Sequence, residues 1–374
     1  MAKSTSRKAS SSAQASVYPD RLSRLRRELK RSSLESLLVT NPRDIRYLTG
    51  FHGDASYLLV MPRRAVVISD FRFQEELASL KGLADVLIRK GLMIDALREL
   101  VGTLKPAAMG VQAEAMTVET RAQIAKAVGG RRVRDTSGII RAMRAIKDAS
   151  EVALIRRAIG IQEAALLALL KRVKPGQSEL EIAAMLEYEM KTRGSIEPSF
   201  DTIAAVRANG SLPHAVPGTA KSAKGQPLLI DWGATYQGYR SDMTRTFSFG
   251  SWPKKLAEAY RVVLDAHLAG IAAVRPGVHV AEVDGAARKI IEKAGYGEMF
   301  GHGLGHGIGL DVHEEPRLSK LGTGTLSPGM VVTVEPGIYL PGVGGIRIED
   351  DVLVTERGGR SLCTLPKDMD WATL

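Results

Sequence analysis

Gly301-His302-Gly303-Leu304-Gly305-His306-Gly307-Ile308-Gly309 is the stretch on which the reading of this sequence turns. Five glycines alternate here with two histidines four residues apart, and His313 follows seven residues after His306. Glycine lets backbone approach closely and adopt positive φ, which suits a loop or strand folded around a metal ion. A pair of structural histidines needs no such density of glycine, so the functional reading outweighs the packing one.

Four carboxylates lie at positions that could join these histidines. Leu228–Asp231 is an apolar run ending in an acid, a turn-rich Gly233–Gly238 follows, and Tyr239–Phe249 reads as a second extended segment carrying Asp242. A hairpin of this kind brings Asp231 and Asp242 together. Val331–Val334 delivers Glu335 into Pro336-Gly337, and Gly344–Val352 places Glu349 inside an alternating strand with Arg347 on the same face. An acid among apolar neighbours is costly unless paired or metal-bound. Arg347 could pair with Glu349, but that leaves Asp231, Asp242, Glu335 and His306 unexplained. Four carboxylates and an imidazole form a hard, oxygen-rich ligand set, suited to Mn²⁺, Mg²⁺, Fe²⁺, Co²⁺ or Zn²⁺ rather than copper or iron–sulfur. That much negative charge suits two divalent ions, which can share a water and lower its pKa. The residues leave the electrophile open between an amide carbonyl and a phosphoester.

The rest of the chain supplies the frame. Its 374 residues predict two domains, possibly three, and 44% hydrophobic with 25% charged residues is a globular composition. Strand-like runs (Ser36–Thr40, Ser56–Met61, Ala65–Ser69, Asp85–Arg89, Ala107–Gln112) alternate with helix-like ones (20–34, Phe71–Leu80, Leu92–Val101, Val118–Val128), a mixed α/β pattern. A boundary is expected at 129–137, where Arg131–Arg134 reads as a basic strand or linker. Asp148 and Glu151 then form a capping box opening a helix that runs to about Arg172. Val173-Lys174-Pro175-Gly176 and Val274-Arg275-Pro276-Gly277, 101 residues apart, each follow a long helix and start another, which suggests a duplicated unit.

Composition excludes several classes. One cysteine, Cys363, rules out an intramolecular disulfide or a thiolate cluster. Of the net charge of +11, +7 sits in residues 1–31, so a nucleic-acid surface over the body is not expected. No run reaches the ~18 apolar residues of a membrane span, and residues 1–16 lack an apolar signal core. A disordered basic tail on a cytoplasmic protein is the expectation.

Together, Asp231…Ser241-Asp242-Met243-Thr244-Arg245-Thr246, His302…His306…His313, Val334-Glu335-Pro336-Gly337 and Arg347-Ile348-Glu349-Asp350 resemble the pita-bread metallopeptidases, and more narrowly their Xaa-Pro aminopeptidase and prolidase branch. Asn41-Pro42…Tyr47-Leu48-Thr49-Gly50-Phe51 resembles the amino-terminal domain of that branch and of creatinase. The resemblance spans about residues 17–365. It implies an α/β plus α+β architecture: a creatinase-like amino-terminal α/β domain over 17–137, then a pseudo-twofold pita-bread catalytic domain over 138–374. It implies two divalent ions per chain, Mn²⁺ first, with Co²⁺ or Zn²⁺ as alternatives. Asp231 would bind one ion, Asp242 and Glu349 would bridge, and His306 and Glu335 would complete the other shell. Glu335 would also move the proton. His214 would lie beside the substrate, His313 would hydrogen-bond the substrate carbonyl, and Arg347 would line the pocket and support Glu349. His302 would be a pocket histidine. The resemblance further implies a homodimer acting on peptides with proline second. An aminopeptidase is expected ahead of a dipeptidase, because the glycine–histidine stretch and the short first domain look more like small bacterial-type members. A metal-free binding protein of the same fold, or a creatinase-like amidinohydrolase, would have no physical need for four clustered acids.

Overall fold

The structure, a computed structural model, describes residues 17–374, and the basic tail expected over 1–16 lies outside the described residues. Contacts divide the chain into two compact units, the first through Arg144 and the second Ala145–Leu374.

The first unit holds helices α1 (Val17–Arg31), α2 (Pro42–Thr49), α3 (Gln74–Leu77), α4 (Met93–Leu104), α5 (Val118–Val128) and α6 (Ile139–Ala145), which ends at the division. Its strands are β1 (Ser36–Val39), β2 (Tyr57–Val60), β3 (Ala65–Ser69), β4 (Asp85–Ile88), β5 (Met109–Gln112) and β6 (Val133–Thr136). They form one mixed sheet in the order β4-β3-β2-β1-β5-β6. Leu38, Leu59, Ile68, Met109 and Val111 from the sheet pack with Leu97, Val101, Ile124 and Val128 from α4 and α5. Each such side chain contributes about 1.5–3 kcal/mol of burial.

One local expectation differs from the structure, one is decided by it between two alternatives, and one helix was not expected. Ser33, placed on the first helix by spacing, lies beyond its end with φ 55, so α1 stops at Arg31. The stretch read as a basic strand or linker contributes β6, which pairs parallel with β5 from Met109↔Val133 to Gln112↔Thr136. Helix α2, for which spacing gave no sign, has an Asn41 cap accepting from Arg43 N, Pro42 in its first turn and Gly50 at its end with φ 78. Buried Asp44 on α2 is held by Arg144 Nη1 at 2.7 Å and Gln112 Nε2 at 2.6 Å.

The second unit begins with α7 (Ala149–Leu170) and α8 (Glu179–Thr192), each opened by a capping box, Asp148 with Glu151 and Ser178 with Glu181. After β7 (Ile203–Val206), β8 (Pro227–Trp232), β9 (Thr235–Tyr236), β10 (Tyr239–Arg240) and β11 (Met243–Ser248) comes a second helix pair, α9 (Lys254–Ala273) and α10 (Val280–Lys293). The 101-residue offset between Pro175 and Pro276 recurs in three dimensions. Gly176 and Gly277 both adopt positive φ, and the cap residues Ser178 and His279 each make an antiparallel bridge, to Lys221 and Thr325. The remaining strands are β12 (Gly305–Gly307), β13 (Glu314–Leu318), β14 (Val331–Val334), β15 (Gly337–Leu340), β16 (Gly344–Arg347), β17 (Asp350–Thr355) and β18 (Gly358–Ser361). They join as β13-β12-β14-β17-β18 and β15-β16, beside the sheet β11-β8-β7 and the small ribbon β9-β10.

Candidate metal centre

The site is made where these sheets break. Strands β8 and β11 pair antiparallel with Asp231 opposite Thr244, which puts Asp231 beside the start of β11 and Asp242 immediately before it. His306 is the middle residue of β12, whose neighbours are β13 and β14. Glu335 follows β14. Glu349 lies in the two-residue gap between β16 and β17, not inside one alternating strand as the sequence suggested. The chain changes sheets at that gap, β16 pairing with β15 and β17 with β14, and period-two alternation cannot register such a switch.

The result is a tight cluster. Ligand-type atoms of Asp242, His306 and Glu349 all lie within 4.8 Å of one another. His306 Nε2 is 3.7 Å from Asp242 Oδ2 and 3.4 Å from Glu335 Oε1. Asp231 stands at the edge, with Oδ2 taken by Arg347 Nη2 at 2.6 Å and Oδ1 buried without a hydrogen-bond partner. His313 packs edge-on against His306, ring centroids 4.3 Å apart. His302 Nδ1 is 4.0 Å from Glu335 Oε2. His214 is exposed, follows Pro213, whose carbonyl accepts from Arg347 Nη1 at 3.3 Å, and its charge bears on both His302 and His313.

Electrostatics makes this an unstable arrangement of bare anions. Burial first, then the neighbouring acids, pushes the Asp242 and Glu349 carboxyls well above the ordinary range. Burial with Asp231 close by raises Glu335 to about 8, against the pull of Arg347. Burial lowers His306 to about 3, so its ring is neutral, and Nδ1 sits 3.1 Å from Gly307 O. A proton on Nδ1 leaves the Nε2 lone pair facing the Asp242 and Glu335 carboxyl oxygens. That is the orientation a histidine ligand takes when a carbonyl fixes its tautomer. The hard donor set, the bare lone pair and the unpartnered Asp231 Oδ1 fit divalent cations, which would replace the protons these acids otherwise hold.

Gly303, Gly305, Gly307 and Gly309 serve by closeness alone, while a Cβ on Gly301 would meet nothing within 4 Å. Positive φ, the other half of the sequence expectation, is absent from Gly301, Gly303, Gly305, Gly307 and Gly309. A Cβ on Gly305 would stand 2.1 Å from Thr333 O, and one on Gly307 2.1 Å from Glu315 O. Strand β12 is squeezed between its neighbours, and that squeeze sets the position of His306.

Sequence reasoning gave no role to Thr244 or Tyr339. Thr244 Oγ1 donates to Glu349 Oε2 at 2.7 Å and accepts from Arg347 Nε at 2.9 Å, so Arg347 reaches Glu349 through a threonine. Arg347 Nη1 also donates to Tyr339 Oη at 2.8 Å, and Tyr339 lies 2.9 Å from His302 Nε2. Thr244 shares the alternating face of Asp242, a signal that could have marked it. Tyr339 had no comparable signal.

A mixed α/β unit followed along the chain by a duplicated helix–strand unit, with acids buried around an imidazole, is the build of a creatinase-type metallopeptidase. The chain belongs to metallopeptidase family M24, whose model matches residues 153–356, and its first part matches the creatinase/prolidase N-terminal domain over residues 21–146. A curated relative, the Xaa-Pro dipeptidase of Pyrococcus horikoshii, is 33% identical over 341 residues, 91% of this chain and 96% of that one. Among solved structures, the Xaa-Pro dipeptidase from Bacillus anthracis superposes with a TM-score of 0.91 at 37% identity, covering 94% of this chain and 99% of that one. The X-Pro aminopeptidase from Thermotoga maritima gives 0.85 at 36%, covering 90% and 97%. Among the described residues, no helix is long and apolar enough to cross a membrane.

Proposed function

We propose that this chain is a metal-dependent exopeptidase that hydrolyses the bond between a first residue and a following proline, using two divalent ions, Mn²⁺ foremost. The observation that carries the reading is the meeting of Asp242, His306 and Glu349 within 4.8 Å, with Glu335 Oε1 at 3.4 Å from the same imidazole. Bound divalent ions supply Lewis acidity and lower the pKa of solvent water. In this reading Asp231, Asp242, His306, Glu335 and Glu349 hold the ions. Glu335, 3.4 Å from the His306 imidazole, takes the proton from the attacking water and returns it to the departing proline nitrogen. His313, beside His306, donates toward the carbonyl oxygen as it gains charge. Arg347 holds Asp231 in line through its 2.6 Å contact. His214 and His302 flank the substrate.

The dipeptidase form of this activity has the support of the relatives from Pyrococcus horikoshii and Bacillus anthracis. The aminopeptidase form, expected from the sequence, has that of the Thermotoga maritima structure. Hydrolysis of Ala-Pro against Ala-Pro-Ala and longer peptides, by Mn²⁺-loaded protein, tests both. Cleavage of the dipeptide alone selects the dipeptidase, and cleavage of the longer peptides selects the aminopeptidase. Loaded protein that cleaves no Xaa-Pro bond overturns the proposal.

A further inference from the structure

Arg245 is fully buried, and its guanidinium has five N–H donors in a planar fork. All five are used. Nε donates to Pro366 O at 3.1 Å, Nη1 to Thr244 O at 2.9 Å and Glu349 O at 2.6 Å, and Nη2 to Asp350 Oδ1 at 2.8 Å and Leu365 O at 3.3 Å. Two of these acceptors are decisive. Glu349 sits in the gap between β16 and β17, so its backbone has no strand ladder to fix it. Its N–H goes to Thr244 O at 3.1 Å, and its C=O goes to Arg245. Arg245 thus stands in for the missing ladder at the residue that presents the carboxylate.

Asp350 secures Arg245 in turn. Its other oxygen accepts from Ser361 Oγ and Lys367 Nζ, both at 2.8 Å. Arg245 and Asp350 are both buried completely, a costly placement for charges that bring little net stability. The segment that supplies Leu365 O, Pro366 O and Lys367 Nζ is itself tied down. The Glu163 carboxylate takes the Thr364 and Leu365 amides and the Thr364 hydroxyl, and Tyr260 Oη donates to Lys367 O at 2.9 Å.

We infer that Arg245 and Asp350 are positioning residues for the Glu349 carboxylate, and that the C-terminal segment Thr364–Lys367 is the latch that holds them. The inference rests on the metal-ligand reading of Asp242 and Glu349. It makes the affinity for divalent cations depend on a segment that contributes no ligand.

Charge alone argues the opposite sign, which makes the test sharp. Removing the Lys367 cation should tighten cation binding if only electrostatics acts. The latch requires the reverse. Metal-stripped wild-type, Lys367→Met, Lys367→Arg and Arg245→Lys proteins are titrated with Mn²⁺ by calorimetry, with thermal midpoints measured in parallel. Arg245→Lys, with three donors for five acceptors, is expected to raise the Mn²⁺ dissociation constant about 10-fold, the low end for outer partners of metal ligands, and Lys367→Met, one contact further out, by a smaller factor of about 3. Lys367→Arg restores wild-type affinity. Leu97→Ala, which destabilises the first unit, leaves the dissociation constant unmoved, separating positioning from general loss of stability. Should Arg245→Lys fail to fold, Lys367→Met decides alone, its side chain being 20% exposed. Unchanged or tighter Mn²⁺ binding by Lys367→Met overturns the latch. A wild-type protein that binds no Mn²⁺ overturns instead the metal-ligand reading beneath it.

Discussion

Arg347 Nη2 lies 2.6 Å from Asp231 Oδ2, and the two side chains are 4% and 13% exposed. The pair spans β16 and β8, so it ties the two sheets on either side of the acid cluster. Burial and proximity make it the counter-charge for Asp231 when no cation is present.

Arg347→Ala is therefore expected to destabilise the metal-free protein by about 3–5 kcal/mol, the cost of leaving a buried charge unpaired. Adding Mn²⁺ should recover part of that loss, because the ions take over the role of counter-charge. Urea denaturation with chelator and with Mn²⁺ measures the difference. An equal loss in both conditions would remove Arg347 from the cluster's charge balance.

Glu335→Gln separates activity from stability. Loss of the proton carrier should lower kcat by about 10²–10⁴-fold. The same change removes a carboxyl held at about 8 by burial, so the metal-free protein at pH 8 should melt no lower than wild type. Steady-state kinetics and thermal melts read the two effects. A variant with normal kcat would assign the proton transfer elsewhere.

The pH dependence of metal-free stability follows from two opposing groups. His306, His267 and His302 are lowered to about 3, about 3 and about 4 by burial, so their contribution is present above their ordinary 6.5 and lost as pH falls. Glu335 is raised from 4.5 to about 8, so its contribution is present below 4.5 and lost as pH rises through 8. Asp242 and Glu349 are raised in the same direction. Below 6.5 the two sets oppose each other. Between 6.5 and 8 only the acids titrate, and stability should fall by up to ~1.4 kcal/mol per pH unit for each proton lost. Saturating Mn²⁺ should flatten this window. Denaturation midpoints at pH 6.5, 7.25 and 8, with and without chelator, check the sign, and a metal-free protein more stable at pH 8 than at 6.5 would contradict it.

Gly305→Ala tests the squeeze on β12. The new methyl would stand 2.1 Å from Thr333 O, so β12 must move away from β14 and carry His306 with it. Weaker Mn²⁺ binding, about 10-fold or more, is expected together with lost activity. Gly301→Ala, where a Cβ meets nothing within 4 Å, is the control. Equal behaviour of the two variants would refute the close-approach role.

Local chemistry and spacing were enough for much of this molecule. The capping box at Asp148, the strand runs of the first unit and the 101-residue recurrence are short-range patterns, written in neighbouring residues and repeated in the structure. The acids and histidines of the cluster could be picked out because such residue types are costly in apolar strands. Tertiary structure alone decided how they meet. Glu349 sits at a switch between sheets, Arg347 bonds Asp231 directly and Glu349 through Thr244, and Tyr339 and Arg245 enter by contacts made across strands. A sequence pattern reports the face a residue takes within one element. It holds no record of which element lies across from that face, since pairing is set by long-range packing of the whole chain.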